Sequence, residues 1–317
     1  MNHPVPSTIM RRVQRPPALG HLLAGLLMAA FAALAPLAAL AQAATPQTGA
    51  GPQALRDRYQ ALGAQLEHNV FGRKLALQSN EAADRLSGDI YAVIDHPFGD
   101  VARALQQPGV WCDILMLHLN TKHCAVQGGG KDTTVAVAVG RKFDQPLDSA
   151  QRIAFGYRVA AATSDYLDVR LDAAQGPMST RNYRIVLEAT PIEGRQTFIH
   201  LGYAYAYGTA ARLAMKGYLA TLGSDKIGFT TLPATGDGSG KPTPIGGVRG
   251  VVERNTMRYY LAIDSYLDAP ATGQLDQRLA QWFDATERYA PQLHEVERSD
   301  YLQMKRAEFQ RMASGTP

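Results

Sequence analysis

Recognisable reaction chemistry is what this sequence has least of. It contains no Gly-x-Ser-x-Gly elbow, no His-Glu-x-x-His, no phosphate-binding loop and no Gly-x-Gly-x-x-Gly after a strand. The motif-defined hydrolases, zinc peptidases, nucleotidases and dinucleotide enzymes therefore have no foothold here. Cysteine is nearly absent, with Cys112 and Cys124 alone in 317 residues and no Cys-x-x-Cys, so neither a zinc ribbon nor a dithiol redox centre is available. His118 and His123 stand five apart, which is not a ligand spacing on a helix. No metal or cofactor is expected.

A real excess of positive charge is also lacking. The formal net charge of +4 rests on three arginines, Arg11, Arg12 and Arg15, that belong to a targeting segment. They precede a nearly unbroken apolar run over 19–40, and Ala41-Gln42-Ala43 supplies the small-x-small pattern that signal peptidase cuts. The run could span a bilayer, but Pro36, its Ala-rich end and the cleavage pattern favour removal after Ala43. Export to the periplasm of a Gram-negative bacterium is expected, with 274 residues left. Those carry 29 basic against 28 acidic residues. That balance offers no concentrated basic surface for nucleic acid, and membrane contact is expected only in passing. In an oxidising compartment the two cysteines are expected to pair. Closing so short a loop contributes about 3 kcal/mol on loop-closure entropy.

What is present is patterning. Residues 44–52 form a leader. Residues 53–68 read as an amphipathic helix with Leu55, Tyr59, Leu62 and Leu66 on one face. Residues 75–80 and 90–94 read as strands, and Asp100 is placed to cap a short helix after Pro97. Strands are expected over 133–139, 152–162 and 166–172, followed by a hairpin of 182–190 and 196–207. Treating Glu193-Gly194 as a two-residue turn sets Ala189 opposite Phe198, Leu187 opposite His200, Ile185 opposite Gly202 and Tyr183 opposite Ala204. That face is apolar at one end and small at the other, leaving room for a helix or a ligand. On the other face Tyr203, Tyr205 and Tyr207 form a ladder that reads as cross-strand packing. A helix is expected over 209–222, a Gly- and Pro-rich loop over 229–247, and a long helix over 251–267 that presents Val251, Asn255, Arg258, Tyr259, Ala262, Ile263 and Tyr266. The last stretch, 273–312, reads as polar helix broken at Pro291, with Leu275, Leu279, Trp282 and Phe283 buried.

Two polar groups compete for a functional role. Asp95, His96 and Asp100 lie close in sequence and could be drawn as an acid–base set. Helix capping and the extended backbone before Pro97 account for them more simply, so no catalytic residue is assigned. Arg249, Glu253, Arg254 and Arg258 crowd the start of the long helix. Ion pairing explains them, yet an arginine there could also receive an anionic head group, which its fork geometry suits. His118 and His123 read as surface or loop residues.

The stretch 89–111 is a strand broken at His96-Pro97-Phe98 that feeds short helices ending near Trp111. It resembles the opening of START-like proteins, the SRPBCC or helix-grip superfamily, and the resemblance runs over about 86–207. It implies an α+β fold in which a curved antiparallel sheet packs on a long helix, here with additional N- and C-terminal helices. The implied layout is a signal peptide over 1–43, a leader and helix over 44–72, the START-like domain over 73–267 and a helical extension over 268–317. The disulfide and that extension depart from the usual pattern. The resemblance implies a cavity and no particular reaction. The expected role is a carrier of a hydrophobic or amphipathic, lipid-like molecule, held by Ile185, Leu187, Phe198, Gly202, Ala204 and Tyr259, with Arg254 or Arg258 at a polar head. The alternatives are an envelope enzyme using Asp95 and His96, and a scaffold for an unidentified protein partner.

Overall fold

The computed structural model of the protein describes residues 51–209, 226–233 and 242–314, together with Arg212, Leu213, Met215 and Gly217. The expected signal segment, the cleavage point and most of the expected 209–222 helix lie outside the described residues. Thr209, Arg212, Leu213, Met215 and Gly217 are helical.

Pro52 opens α1 (Pro52–Ala61) in its first turn, where its missing N–H costs nothing. The helix breaks at Leu62, and α2 (Gly63–Glu67) follows. A hairpin of β1 (Leu75–Glu81) and β2 (Arg85–Ile94) leads to α3 (Phe98–Leu105) and α4 (Pro108–Leu115). Asp100 does not cap α3. Pro97 holds the cap position, and Asp100 sits in the first turn with its carboxylate 2.9 Å from Arg103. Trp111 is buried in α4, where its indole N–H donates to Leu105 O at 2.9 Å. A disulfide joins Cys112 on α4 to Cys124 on β3 (Thr121–Gln127). The chain then runs through β4 (Thr134–Val139), β5 (Gln151–Ala162), β6 (Leu167–Gln175), β7 (Thr180–Ile192) and β8 (Gln196–Tyr207). In the Gly- and Pro-rich stretch two short strands, β9 (Thr231–Leu232) and β10 (Thr243–Pro244), pair antiparallel. Helices α5 (Gly247–Asp268), α6 (Leu275–Glu287), α7 (Ala290–Leu293) and α8 (Arg298–Ala313) complete the chain. Pro291 lies in the first turn of α7, and the helical breaks fall at 288–289 and 294–297. Among the described residues no helix is long and apolar enough to cross a membrane.

Eight strands form one antiparallel sheet in the order β1-β2-β8-β7-β6-β5-β4-β3. Helix α5 packs across β1, β2 and β8, with α4 and α6 beside it. This is the expected helix-grip arrangement of sheet on long helix, extended at both ends by further helices. Gly88 permits the close approach, since a side chain there would run into Thr256 of α5. Helix α5 is buried on more sides than a single stripe, because α4, α6 and the sheet enclose it. Val252, Met257, Tyr260 and Leu261 are covered as fully as Ala262 and Ile263.

The hairpin register differs from the expected one by a single residue. The loop between β7 and β8 has three residues, Glu193–Arg195, with Gly194 at φ 73° and Arg195 at φ 61°. Ala189 therefore faces Ile199, Leu187 faces Leu201 and Ile185 faces Tyr203. A one-residue slip exchanges the faces. Tyr183, Ile185, Leu187, Leu201, Tyr203, Tyr205 and Tyr207 join the main core with α5, while Phe198 belongs to a smaller core under α1 and α2 with Leu55, Leu62, Leu66 and Tyr91.

His200 shares that second face and is buried between two carboxylates. Its Nδ1 lies 2.9 Å from Glu188 and its Nε2 2.9 Å from Asp89, while Tyr91 stacks on the ring at 4.4 Å. Burial alone would lower its pKa, but hydrogen bonds to Asp89 and Glu188 win and hold it above the usual 6.5. His118 behaves oppositely. It is not a surface residue: it is 4% exposed and stacked on Tyr259, and burial followed by the charges of Arg258, Lys305 and Lys142 holds it well below 6.5. The two set a predicted stability optimum. The raised pKa of His200 contributes fully below pH 6.5 and is lost as pH rises through its folded value. The depressed pKa of His118 costs stability as pH falls below 6.5 toward its folded value. In urea denaturation between pH 5 and 8, below the range where Lys305 titrates, the contribution of these two groups is expected to be largest near pH 6.5. His200→Gln flattens the high side and His118→Gln the low side; unchanged slopes would contradict this assignment.

Candidate functional site

A cavity of about 430 Å³ opens between the tyrosine face of the sheet and the first turns of α5. Its apolar wall comes from Tyr183 on β7, Tyr203, Tyr205 and Tyr207 on β8, Leu86 on β2, and Val248 and Val251 on α5. The rings support one another: Tyr183 and Tyr205 stack at 5.2 Å, Tyr203 lies 5.7 Å from Tyr205, and Tyr203 lies 5.5 Å from Tyr259 of α5. Burial, first of all, pushes the phenols of Tyr203, Tyr205 and Tyr259 up, so they stay neutral. Pro177 and Met178 line the wall as well. Met178 and Ser179 hold positive φ (55° and 63°), a conformation uncommon for side-chain-bearing residues.

The other end is polar. Asn120, Lys142, Arg254, Asn255, Arg258 and Glu295 line it. One turn of α5 separates Arg254 from Arg258, which places both guanidinium groups on one side of the helix. Both are 3% exposed. Arg254 donates to Ile227 O at 3.0 Å, and Arg258 donates to Leu293 O at 3.1 Å and to Glu295 Oε1 at 2.9 Å. The second oxygen of Glu295 meets Lys142 Nζ at 2.7 Å and Lys226 Nζ at 3.2 Å. Burial alone would raise the Glu295 pKa, but Arg258, Lys142 and Lys226 outweigh it and hold the carboxyl below its ordinary range. Burial in turn lowers Lys142. At this end, then, three cations and one carboxylate line the wall among the described residues.

The rest of the arginine-rich start of α5 is structural. Glu253 accepts from Ser79 Oγ and from the N–H groups of Phe229 and Thr230, both at its Oε2, at 2.6, 2.6 and 2.9 Å. Arg249 donates to Ser79 Oγ and Ser79 O. Together they pin the 229–230 segment and β1 to the helix.

Of the residues expected to hold a ligand, Arg254 and Arg258 line the cavity and Tyr259 packs on its tyrosine wall. Ile185 and Leu187 share the inner face but sit deeper in the core. Phe198, Gly202 and Ala204 are on the opposite face because of the register. Phe198 packs on Tyr59 at 5.0 Å, and a Cβ at Gly202 would meet Asp89 and His200. The tyrosine ladder, expected as packing on the far face, is instead the wall of the cavity. Asp95 and His96 do not reach it: Asp95 accepts from Gln196, and His96 Nε2 meets Asp268 at 3.1 Å. Among the described residues no group of His, Cys, Asp and Glu is placed to hold a metal ion.

No protein-family model and no curated protein matches this sequence. Among solved structures the chain is similar to a conserved protein of unknown function from Enterococcus faecalis, at 9% identity and a TM-score of 0.31 over 80% of this chain and 96% of that one. It is similar to norcoclaurine synthase from Thalictrum flavum at 11% identity and a TM-score of 0.31, over 47% of this chain and 81% of that one. A third likeness is to Ara h 8.0201, at 11% identity and a TM-score of 0.34 over 61% and 98%. At such scores none of these neighbours speaks to the chemistry of this chain.

Proposed function

We propose that this protein is an exported carrier that sequesters an amphipathic small molecule in the cavity between sheet and α5. The observation that carries the reading is the two-ended lining: tyrosine and aliphatic surface at one end, Lys142, Arg254 and Arg258 at the other. A pocket with mostly apolar walls and a few convergent polar groups is what small-molecule sites require. A cavity of about 430 Å³ falls in the range of roughly 300–1,000 Å³ usual for small-molecule sites, which suits an acyl chain or a fused ring system. Each buried CH₂ contributes about 0.8 kcal/mol before ordering costs. The anionic head meets arginine, whose fork suits a carboxylate or phosphate. The signal-like 1–43 segment and the Cys112–Cys124 pair support a periplasmic setting.

Uptake of a fluorescent fatty acid by the purified protein tests this. Val251→Trp projects a large ring into the cavity and is expected to reduce uptake at least tenfold while the circular dichroism spectrum is kept. Gly202→Leu, on the other face, is expected to lower stability through Asp89 and His200 and to leave uptake unchanged. Equal uptake by wild type and Val251→Trp would remove the cavity from the account.

A further inference from the structure

The polar end of the cavity already contains a carboxylate, and its surroundings are those a bound head group would need. Glu295 is 6% exposed at its side chain and is met by Arg258 at 2.9 Å, Lys142 at 2.7 Å and Lys226 at 3.2 Å. It is not held by a helix. It lies in the 294–297 segment between α7 and α8. The backbone there is fixed on either side by His294 on Glu287 at 3.0 Å, by Lys226 on His294 O at 2.9 Å and by Val296 against the core, so what can move is the Glu295 side chain alone. Two of its cations, Lys142 and Arg258, line the cavity with it. The three come from separate parts of the chain: the segment after β4, the 226–233 segment and α5. A carboxylate on a short irregular segment, drawn in by cations that face a cavity, occupies the geometry of a ligand head.

We propose that Glu295 is an internal stand-in for the head group of the cargo, that the cargo head is a carboxylate, and that binding exchanges the cargo carboxylate for Glu295 on Arg258 and Lys142. The inference rests on the carrier reading of this cavity. The exchange is ionic, and no covalent bond is made or broken. Arg258 and Lys142 keep one anion throughout, so neither cation is left buried without a partner, a state that costs several kcal/mol. The Glu295 side chain turns toward solvent, where Lys226, 27% exposed at its side chain, retains it. Glu295 thereby becomes a specificity-determining residue. An alcohol carries no charge and cannot replace it, and a tetrahedral phosphate does not match the planar two-oxygen group whose place it would take.

The test is calorimetric titration of the mature protein with dodecanoate, dodecyl phosphate and dodecanol, repeated on Glu295→Gln. Wild type is expected to bind dodecanoate at least tenfold more tightly than either other probe. Glu295→Gln, which removes the competing charge, is expected to bind dodecanoate about tenfold more tightly still and dodecyl phosphate more tightly by a larger factor. Weaker or unchanged dodecanoate binding by Glu295→Gln would overturn the stand-in role, since a purely structural carboxylate gives that result. Tighter wild-type binding of dodecyl phosphate would overturn the carboxylate assignment. If wild type binds none of the three, the carrier reading itself fails, a separate outcome. Infrared difference spectra of wild type with ¹³C-carboxylate dodecanoate make the test independent of the variant's folding. A protein carboxylate band that shifts on binding is expected, and a spectrum without one would contradict the exchange.

Discussion

Arg258→Met is expected to weaken binding of an alkyl carboxylate by about 10- to 100-fold, the loss that follows removal of a hydrogen bond to a charged group, about 1.5–3 kcal/mol. Binding of the matching alkyl alcohol should change little, because the tyrosine wall is untouched. The variant also removes the bond from Arg258 to Leu293 O, a loss that falls on acid and alcohol alike and cancels in their comparison. Glu295 keeps Lys142 and Lys226 after the substitution, so its carboxylate is not stranded. Arg254→Met should act in the same direction from the adjacent turn. Isothermal titration of both ligands on each variant measures this. Parallel losses for acid and alcohol would mean that the arginines shape the cavity and do not read charge.

The largest expected effect on stability lies elsewhere, where α8 meets the start of β3. Glu308 is fully buried and accepts from Lys122 Nζ at 2.9 Å and from Lys305 Nζ, both of them also buried. Lys305 reaches Thr121 O at 2.7 Å, and Lys122 reaches Leu119 O at 3.0 Å, so the three side chains fasten the last helix to the strand that carries Cys124. Glu308→Gln leaves two ammonium groups in the core with no anion and is expected to cost about 3–5 kcal/mol. Burial, outweighing the pull of Glu308, already pushes Lys305 down to about 8. A depressed lysine pKa means that the folded state holds fewer protons than the unfolded one, so this term makes stability rise with pH from about 8 toward 10.5. The rise should be steeper in Glu308→Gln, where nothing opposes deprotonation. Urea unfolding at pH 7 and pH 9.5 decides it. A cost below about 1 kcal/mol would place this cluster in contact with water.

The order of elements could be read from the sequence because periodicity and punctuation are local. Alternation marked β4 to β8, Pro97 and Pro108 marked the short helices, and helical spacing over 251–267 marked α5, which in the structure starts earlier, at Gly247, and ends at Asp268. The identity of the inner face could not be read the same way. It turned on whether the loop after Ile192 holds two residues or three, and Glu193-Gly194 invites the two-residue reading when Arg195 is not suspected of taking a positive φ. That one residue moved Gly202 and Ala204 out of the cavity and brought Tyr203, Tyr205 and Tyr207 in. Arg254 and Arg258 were legible because they share a helix. Lys142 and Glu295 were not, since one follows a strand and the other sits between two helices more than 150 positions later, and neither has a local pattern. Lys305 and Glu308 look like an ordinary exposed i, i+3 pair. Only Lys122, from β3, turns them into a core cluster.

Native mass spectrometry of the protein purified from the cells that make it tests the central claim most directly, with solvent extraction of whatever is bound. The account predicts one stoichiometric adduct per chain, released on unfolding and identified as an amphipathic molecule with a single anionic head, and its absence from Val251→Trp. A clean apo mass, or an adduct held equally by Val251→Trp, would contradict it.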